Sequence, residues 1–118
     1  MKYMMLIYFD EKALDQDERE HCYEESHRLI ADIDSKKQYL ASAPLHATST
    51  ATSVRIREGK PLVTDGPFAE TREQLGGYYL VDVDNLDEAI RIALRIPGAR
   101  FGTVEVRPVI DMTACATA

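Results

Sequence analysis

Asp65 is the residue whose setting best suits acid–base chemistry. It stands where the apolar run Leu62-Val63-Thr64 enters the turn Gly66-Pro67-Phe68. A carboxylate at such an entry accepts backbone N–H groups and shapes the turn. Alternatively, it stands at a cleft mouth as a general base or an orienting acid. His46 follows Pro44-Leu45 and opens a stretch rich in Ser, Thr and Ala. It reads either as an exposed loop imidazole or as a proton-transfer partner for Asp65. His27 is the other possible partner, at the edge of a helical apolar stripe. Asp65, His46 and His27 are the candidate catalytic groups.

Glu105 and Arg107 are two residues apart on one extended run, so they share a face opposite Val104 and Val106. They read as a structural pair, or as cleft residues in which the Arg107 fork holds an acidic substrate. With Tyr78 on a neighbouring run, they are the candidate substrate contacts. Ser26 has no base at a readable spacing and is taken as a satisfied helix serine. His21 lies among Glu20, Glu24 and Glu25 and reads as solvated surface. Cys22 and Cys115 sit in no metal-ligand or C-x-x-C spacing and read as reduced thiols. No phosphate-cradling Gly-rich loop, nucleophile elbow or H-E-x-x-H occurs, so no cofactor and no metal is expected. The charged segment Glu70-Thr71-Arg72-Glu73 is a solvated loop or a lid.

These residues need elements to position them. Residues 2–9 are apolar and read as a first strand. Asp15-Gln16-Asp17-Glu18 forms a capping box that opens a helix to about Lys37. Its apolar stripe is Cys22, Ser26, Leu29, Ile30 and Ile33. Tyr39 to Ser42 is a short extended piece. Val54–Arg57 and Leu62–Thr64 pair as a hairpin across Glu58-Gly59. Tyr78–Val83 is a strand opened by Gly76-Gly77, a bend or close-approach signal. Asn85 caps a second helix with Leu86, Ala89, Ile90, Ala93 and Leu94 on its apolar stripe, ended by Pro97-Gly98. Thr103–Arg107 is the last strand. This order predicts an α+β, ferredoxin-like antiparallel sheet with two helices on one face. The domain spans residues 1–110, with 111–118 a flexible tail.

The other sheet face should then be polar. Yet Met4, Leu6 and Tyr8 alternate with Tyr3, Met5, Ile7 and Phe9, so both faces of the first strand are apolar. A second copy of the chain is the simplest cover, and a homodimer through the sheet face is expected.

Composition narrows the functions. Acids exceed bases to a formal charge of -6, with no basic run, which argues against nucleic-acid binding. No apolar stretch reaches the ~20 residues a bilayer needs, and the first strand lacks a cleavage signature. A cytoplasmic protein without membrane contact is expected.

The segment Val63-Thr64-Asp65-Gly66-Pro67-Phe68-Ala69-Glu70-Thr71-Arg72-Glu73-Gln74-Leu75-Gly76-Gly77-Tyr78-Tyr79 closely resembles the signature of the DGPF family, which is related to the YCII group. Met1 to Tyr8, Ala43-Pro44-Leu45, Arg95-Ile96-Pro97 and Val104 to Pro108 extend the match. The resemblance implies a ferredoxin-like protomer in a dimeric α/β barrel, and no established activity. Some relatives lie near genes for alternative sigma factors. Members of the wider YCII group carry a proposed dyad of a helix-1 His and an Asp just before a Pro. His27 matches the former, while Ile96 replaces the latter. Two functions follow. One is a cofactor-free enzyme doing acid–base chemistry on a small molecule in the barrel cleft. The other is a non-enzymatic ligand-binding or regulatory dimer linked to a sigma-factor stress response. A purely structural dimerisation domain is a third.

Overall fold

The structure is a computed structural model, and it describes residues 1–113. Cys115 and the rest of the expected tail from residue 114 onward lie outside the described residues. The chain begins with β1 (Lys2–Phe9), which takes the centre of a four-stranded sheet. It is followed by α1 (Gln16–Ser35), which starts where its sequence directs. The Asp15 carboxylate accepts from the Glu18 N–H at 2.8 Å, and the Glu18 carboxylate accepts from the Asp15 N–H at 3.2 Å. Two donors that a helix start leaves open are thereby satisfied. The helix stops two residues before the expected Lys37, which adopts the left-handed region at φ 59.

Next come β2 (Tyr39–Pro44), a 3-10 turn at Thr48–Thr50, the hairpin β3 (Thr52–Arg57) and β4 (Lys60–Asp65), and β5 (Gln74–Asp82). The chain closes with α2 (Leu86–Ala93), a short α3 (Gly98–Phe101) and β6 (Gly102–Pro108). The strand order is β2-β5-β1-β6, antiparallel throughout, which is the ferredoxin-like plan.

The hairpin is not part of this sheet. The short extended piece expected at Tyr39 to Ser42 is the edge strand β2. The β3–β4 ribbon forms a separate two-stranded sheet. Burial explains the exchange. Tyr39 packs against the core, whereas Val54, Ile56 and Val63 of the ribbon are all more than 60% exposed. Val54 faces Val63 and Ile56 faces Pro61, which gathers the apolar side chains on one side of the ribbon.

One face of the main sheet carries the core. Tyr3 and Met5 of β1 pair with Val81 and Tyr79 of β5. Leu29 and Ile33 of α1 and Ala89, Ile92 and Ala93 of α2 close over them, with Ile96. The stripe expected on α2 is rotated. Leu86, Ile90 and Leu94 are exposed, because the small Ala89 and Ala93 let the helix approach the sheet, with Ile92 filling the space beside them. Pro97 ends no helix; it sits at the start of α3, where a proline costs no hydrogen bond. No helix of the described residues is long and apolar enough to cross a membrane.

Candidate functional site: a cavity between the first helix and the sheet

The apolar stripe of α1 does two different jobs along its length. Its second half, Leu29 and Ile33, is fully packed. Its first half presents the smaller Cys22 and Ser26 toward a stretch of β5 that holds Gly76 and Gly77. Small residues on both sides leave space. The result is a cavity of about 580 Å³ between α1, β1, β2, β5 and the segment 96–101. The glycines are there because side chains would not fit. A Cβ at Gly76 would strike the ring of Phe9, and one at Gly77 would come within 3.0 Å of the Ala43 carbonyl. The close approach read from Gly76-Gly77 is therefore present, inside a strand that begins earlier, at Gln74.

The wall is mostly apolar, with Ile7, Phe9, Ile30, Pro44, Leu45, Ile96 and Phe101 among its residues. A few polar groups converge in it. Tyr79 forms part of the wall and is 3% exposed, and its hydroxyl has no hydrogen-bond partner among the described residues. Burial pushes this phenol above its ordinary range, and nearby Tyr39 adds to the effect. The Ser26 hydroxyl lies near enough to oppose the shift, but no hydrogen bond of ordinary length and angle closes between the two.

The rim is built by Glu11 and Arg19. The Glu11 carboxylate accepts from the Thr48 N–H at 2.7 Å and from its hydroxyl at 3.0 Å. The Glu11 N–H donates to the Gln74 side chain at 3.0 Å. Arg19 donates through Nη2 to the Glu11 carbonyl at 2.7 Å, while its buried Nε–H has no partner among the described residues. Cys22 also lines the cavity. Burial pushes its thiol up, Glu25 and Glu18 push the same way, and Arg100 opposes them. A thiol so placed is a poor nucleophile near neutral pH. Arg100 meanwhile grips both oxygens of Glu25, at 2.8 and 2.9 Å, tying α3 to α1 beside Phe101.

Of the residues singled out from sequence, His27 lines this cavity, with its side chain exposed at the mouth. Asp65 and His46 are exposed and do not line it, and no hydrogen bond joins Asp65 to either histidine. Asp65 ends the ribbon, and its carboxylate accepts no hydrogen bond among the described residues. Glu105, Arg107 and Tyr78 belong to the sheet face turned away from the helices. Glu105 and Tyr78 flank Leu6 on either side, and Arg107 sits opposite Met4. Glu105 and Arg107 form no ion pair with each other. The 70–73 loop does not border the cavity; Glu73 is held by the Thr103 hydroxyl at 2.9 Å. Among the described residues no three His, Cys, Asp or Glu side chains are grouped to hold a metal ion.

Sequence reasoning passes over Arg19 and Tyr79, and takes Ser26 as a satisfied helix serine. Arg19 and Ser26 carry a readable signal. Arg19, Tyr23, Ser26 and Ile30 recur at four-, three- and four-residue steps, one face of a helix. Tyr79 alternates with Val81 and Val83, which places it on the core side of β5.

A ferredoxin-like sheet with a cleft under its first helix defines a class of small α+β proteins. Within it, the chain matches the model of the YCII-related domain over residues 1–113, and it belongs to that family. It is 37% identical over 117 residues to an uncharacterised protein of Rhizobium meliloti (strain 1021), covering 92% of this chain and 91% of that one. It is also similar to a solved structure of 5-chloro-2-hydroxyhydroquinone dehydrochlorinase from Burkholderia phenoliruptrix AC1100, in complex with 2,5-dihydroxybenzoquinone. That likeness has a TM-score of 0.48 at 10% identity, covering 93% of this chain and 94% of the other.

Proposed function

We propose that this YCII-related protein is a small-molecule enzyme whose substrate lies in the cavity between α1 and the sheet. The observation that carries the reading is the Tyr79 hydroxyl: a fully buried donor without a partner, in the wall of an apolar space of about 580 Å³. Buried polar groups are almost always satisfied, and one left unpaired in a residue that lines a cavity is open to a ligand that displaces its cover. Tyr79 would donate to a substrate oxygen that gains charge. His27 at the mouth would move the proton, since histidine exchanges protons most readily near neutral pH. Asp65 and His46 have no part in this step within one chain.

A second reading is a binding module without turnover, and Ile96 favours it. Where relatives place an orienting Asp, this chain puts a side chain that is 1% exposed and carries no charge. An imidazole without an orienting carboxylate loses its fixed tautomer.

The proposal extends to assembly and location. The outer sheet face, with Met4, Leu6, Tyr8, Tyr78 and Leu80, would be covered by a second copy. An isolated two-stranded ribbon is marginal in water, so the apolar side of β3–β4 would join that contact. A free Cys22 suits a cytoplasmic setting.

A thermal-shift screen of small aromatic and aliphatic metabolites on wild type, Tyr79→Phe and His27→Gln tests the reading. Ligands that stabilise wild type are expected to lose effect in Tyr79→Phe. Turnover of a hit, followed by NMR and abolished in His27→Gln, supports the enzyme. Binding without turnover supports the module. No hit at all, or hits indifferent to Tyr79, would sink both. Light scattering at several concentrations reads the dimer, and a monomer throughout refutes it.

A further inference from the structure

The polar groups of the cavity differ in what they have left to give. Glu11 is the one acid on the wall, and both its oxygens are taken up by Thr48. Arg19 has given one N–H to a carbonyl; its Nε–H is buried and unpaired, and the guanidinium enters no ion pair among the described residues. A cation with an idle buried donor is costly to leave unmatched. Its planar fork fits a carboxylate better than any neutral group. Tyr79 offers a second idle donor, its hydroxyl, beside Ser26.

These two anchors are spaced. Ser26 lies seven residues beyond Arg19 on α1, about 10 Å along a helix axis. The cavity wall is rich in rings, with Phe9, Tyr23, Tyr39 and Phe101 all contributing. A flat ring with a polar group at each end matches that spacing and those walls.

We infer that the cavity takes a small aromatic acid, its carboxylate on Arg19 at the rim and an oxygen at its far end on the Tyr79 hydroxyl. The inference rests on the reading of this cavity as a ligand site and adds the ligand's charge and shape. It also moves the acid-binding arginine from Arg107, on the outer face, to Arg19.

The test is calorimetric titration with 4-hydroxybenzoate and with its neutral counterpart, 4-hydroxybenzyl alcohol. Wild type is expected to bind the acid at least tenfold more tightly. Arg19→Gln should erase that preference while alcohol affinity stays within twofold, and Tyr79→Phe should weaken both ligands. Because Arg19 also steadies Glu11, the retained alcohol binding doubles as a check on the fold. Arg19→Lys, which keeps the charge without the fork, should retain part of the preference. Equal affinity of wild type for acid and alcohol overturns the inference and leaves the cavity reading standing. Binding of neither overturns both.

Discussion

His27 of α1 and Ile96, between α2 and α3, line the same cavity. The two positions are 69 apart in sequence by their numbers, 96 and 27. By the resemblance these are the two places of a proposed dyad, and here a hydrocarbon stands in the second. Ile96→Asp is expected to cost about 3 kcal/mol or more in urea unfolding, through lost packing and a buried charge. If the folded variant is recovered, the NMR resonances of the His27 ring should shift relative to wild type, because a carboxylate then shares its cavity. An unmoved His27 would mean that the two places do not communicate.

Tyr79→Phe should leave unfolding free energy unchanged or raise it by up to about 1 kcal/mol, since it deletes a buried hydroxyl without a partner. The pH dependence gives a second readout. Tyr79 has a raised folded pKa, so burial holds it protonated where the unfolded chain would release the proton. Its contribution is complete below the unfolded value of about 10 and is lost as pH rises through the folded value. Tyr79→Phe should therefore flatten the alkaline loss of stability seen in wild type. A variant that is clearly less stable at neutral pH would show that the hydroxyl has a partner after all.

Two glycines beside Phe9 should differ in tolerance. A Cβ at Gly76 would meet the ring of Phe9, which can shift toward the cavity. At Gly102 it would meet the Tyr8 carbonyl and come within 2.8 Å of the Phe9 Cα, both backbone atoms in the β1–β6 ladder. Gly76→Ala is expected to cost about 1–2 kcal/mol by overpacking, and Gly102→Ala more. Chemical denaturation ranks them. The reverse order would mean that the ring is the less movable neighbour.

Asp32 binds Arg95 at 2.7 Å and Lys36 at 3.3 Å, linking α1 to the segment after α2. The Arg95 and Lys36 hydrogen bonds hold its carboxyl below the usual range. A lowered folded pKa contributes stability that is present above the unfolded value of about 4 and is lost as pH falls through the folded one. The group is solvent-exposed, so the effect should be small and weaken with salt. Melting curves between pH 2 and 5 should show an acid slope that Asp32→Asn reduces. Identical slopes would assign acid loss to other carboxylates.

The parts of this fold legible in sequence are those set by local rules. The capping box at Asp15 and Glu18, the Asn85 cap and the alternation of β1 all follow from short-range patterns. What sequence misassigned needed long-range information. Val54-Arg55-Ile56-Arg57 alternates as well as any sheet strand, and nothing local says that its apolar side meets no core. Tyr39 to Pro44 is weakly patterned, yet it wins the sheet edge by pairing with β5. The candidate site followed the same division. His27 was visible as the boundary of a stripe. Tyr79 and Ser26 looked like ordinary core, because only the missing side chains at Gly76 and Gly77 turn that stretch of core into a cavity.

The free-standing ribbon gives two halves of one chain different lifetimes. β1 and β5 cannot lose their ladder without dissolving the core, so their amides should exchange only at the rate of global opening. β3 and β4 hold each other alone, and their amides can open while the rest stays folded. Slow exchange at Arg55 and Leu62, whose amides pair across the ribbon, would then report association rather than folding: the ribbon keeps its protons only while something lies against it.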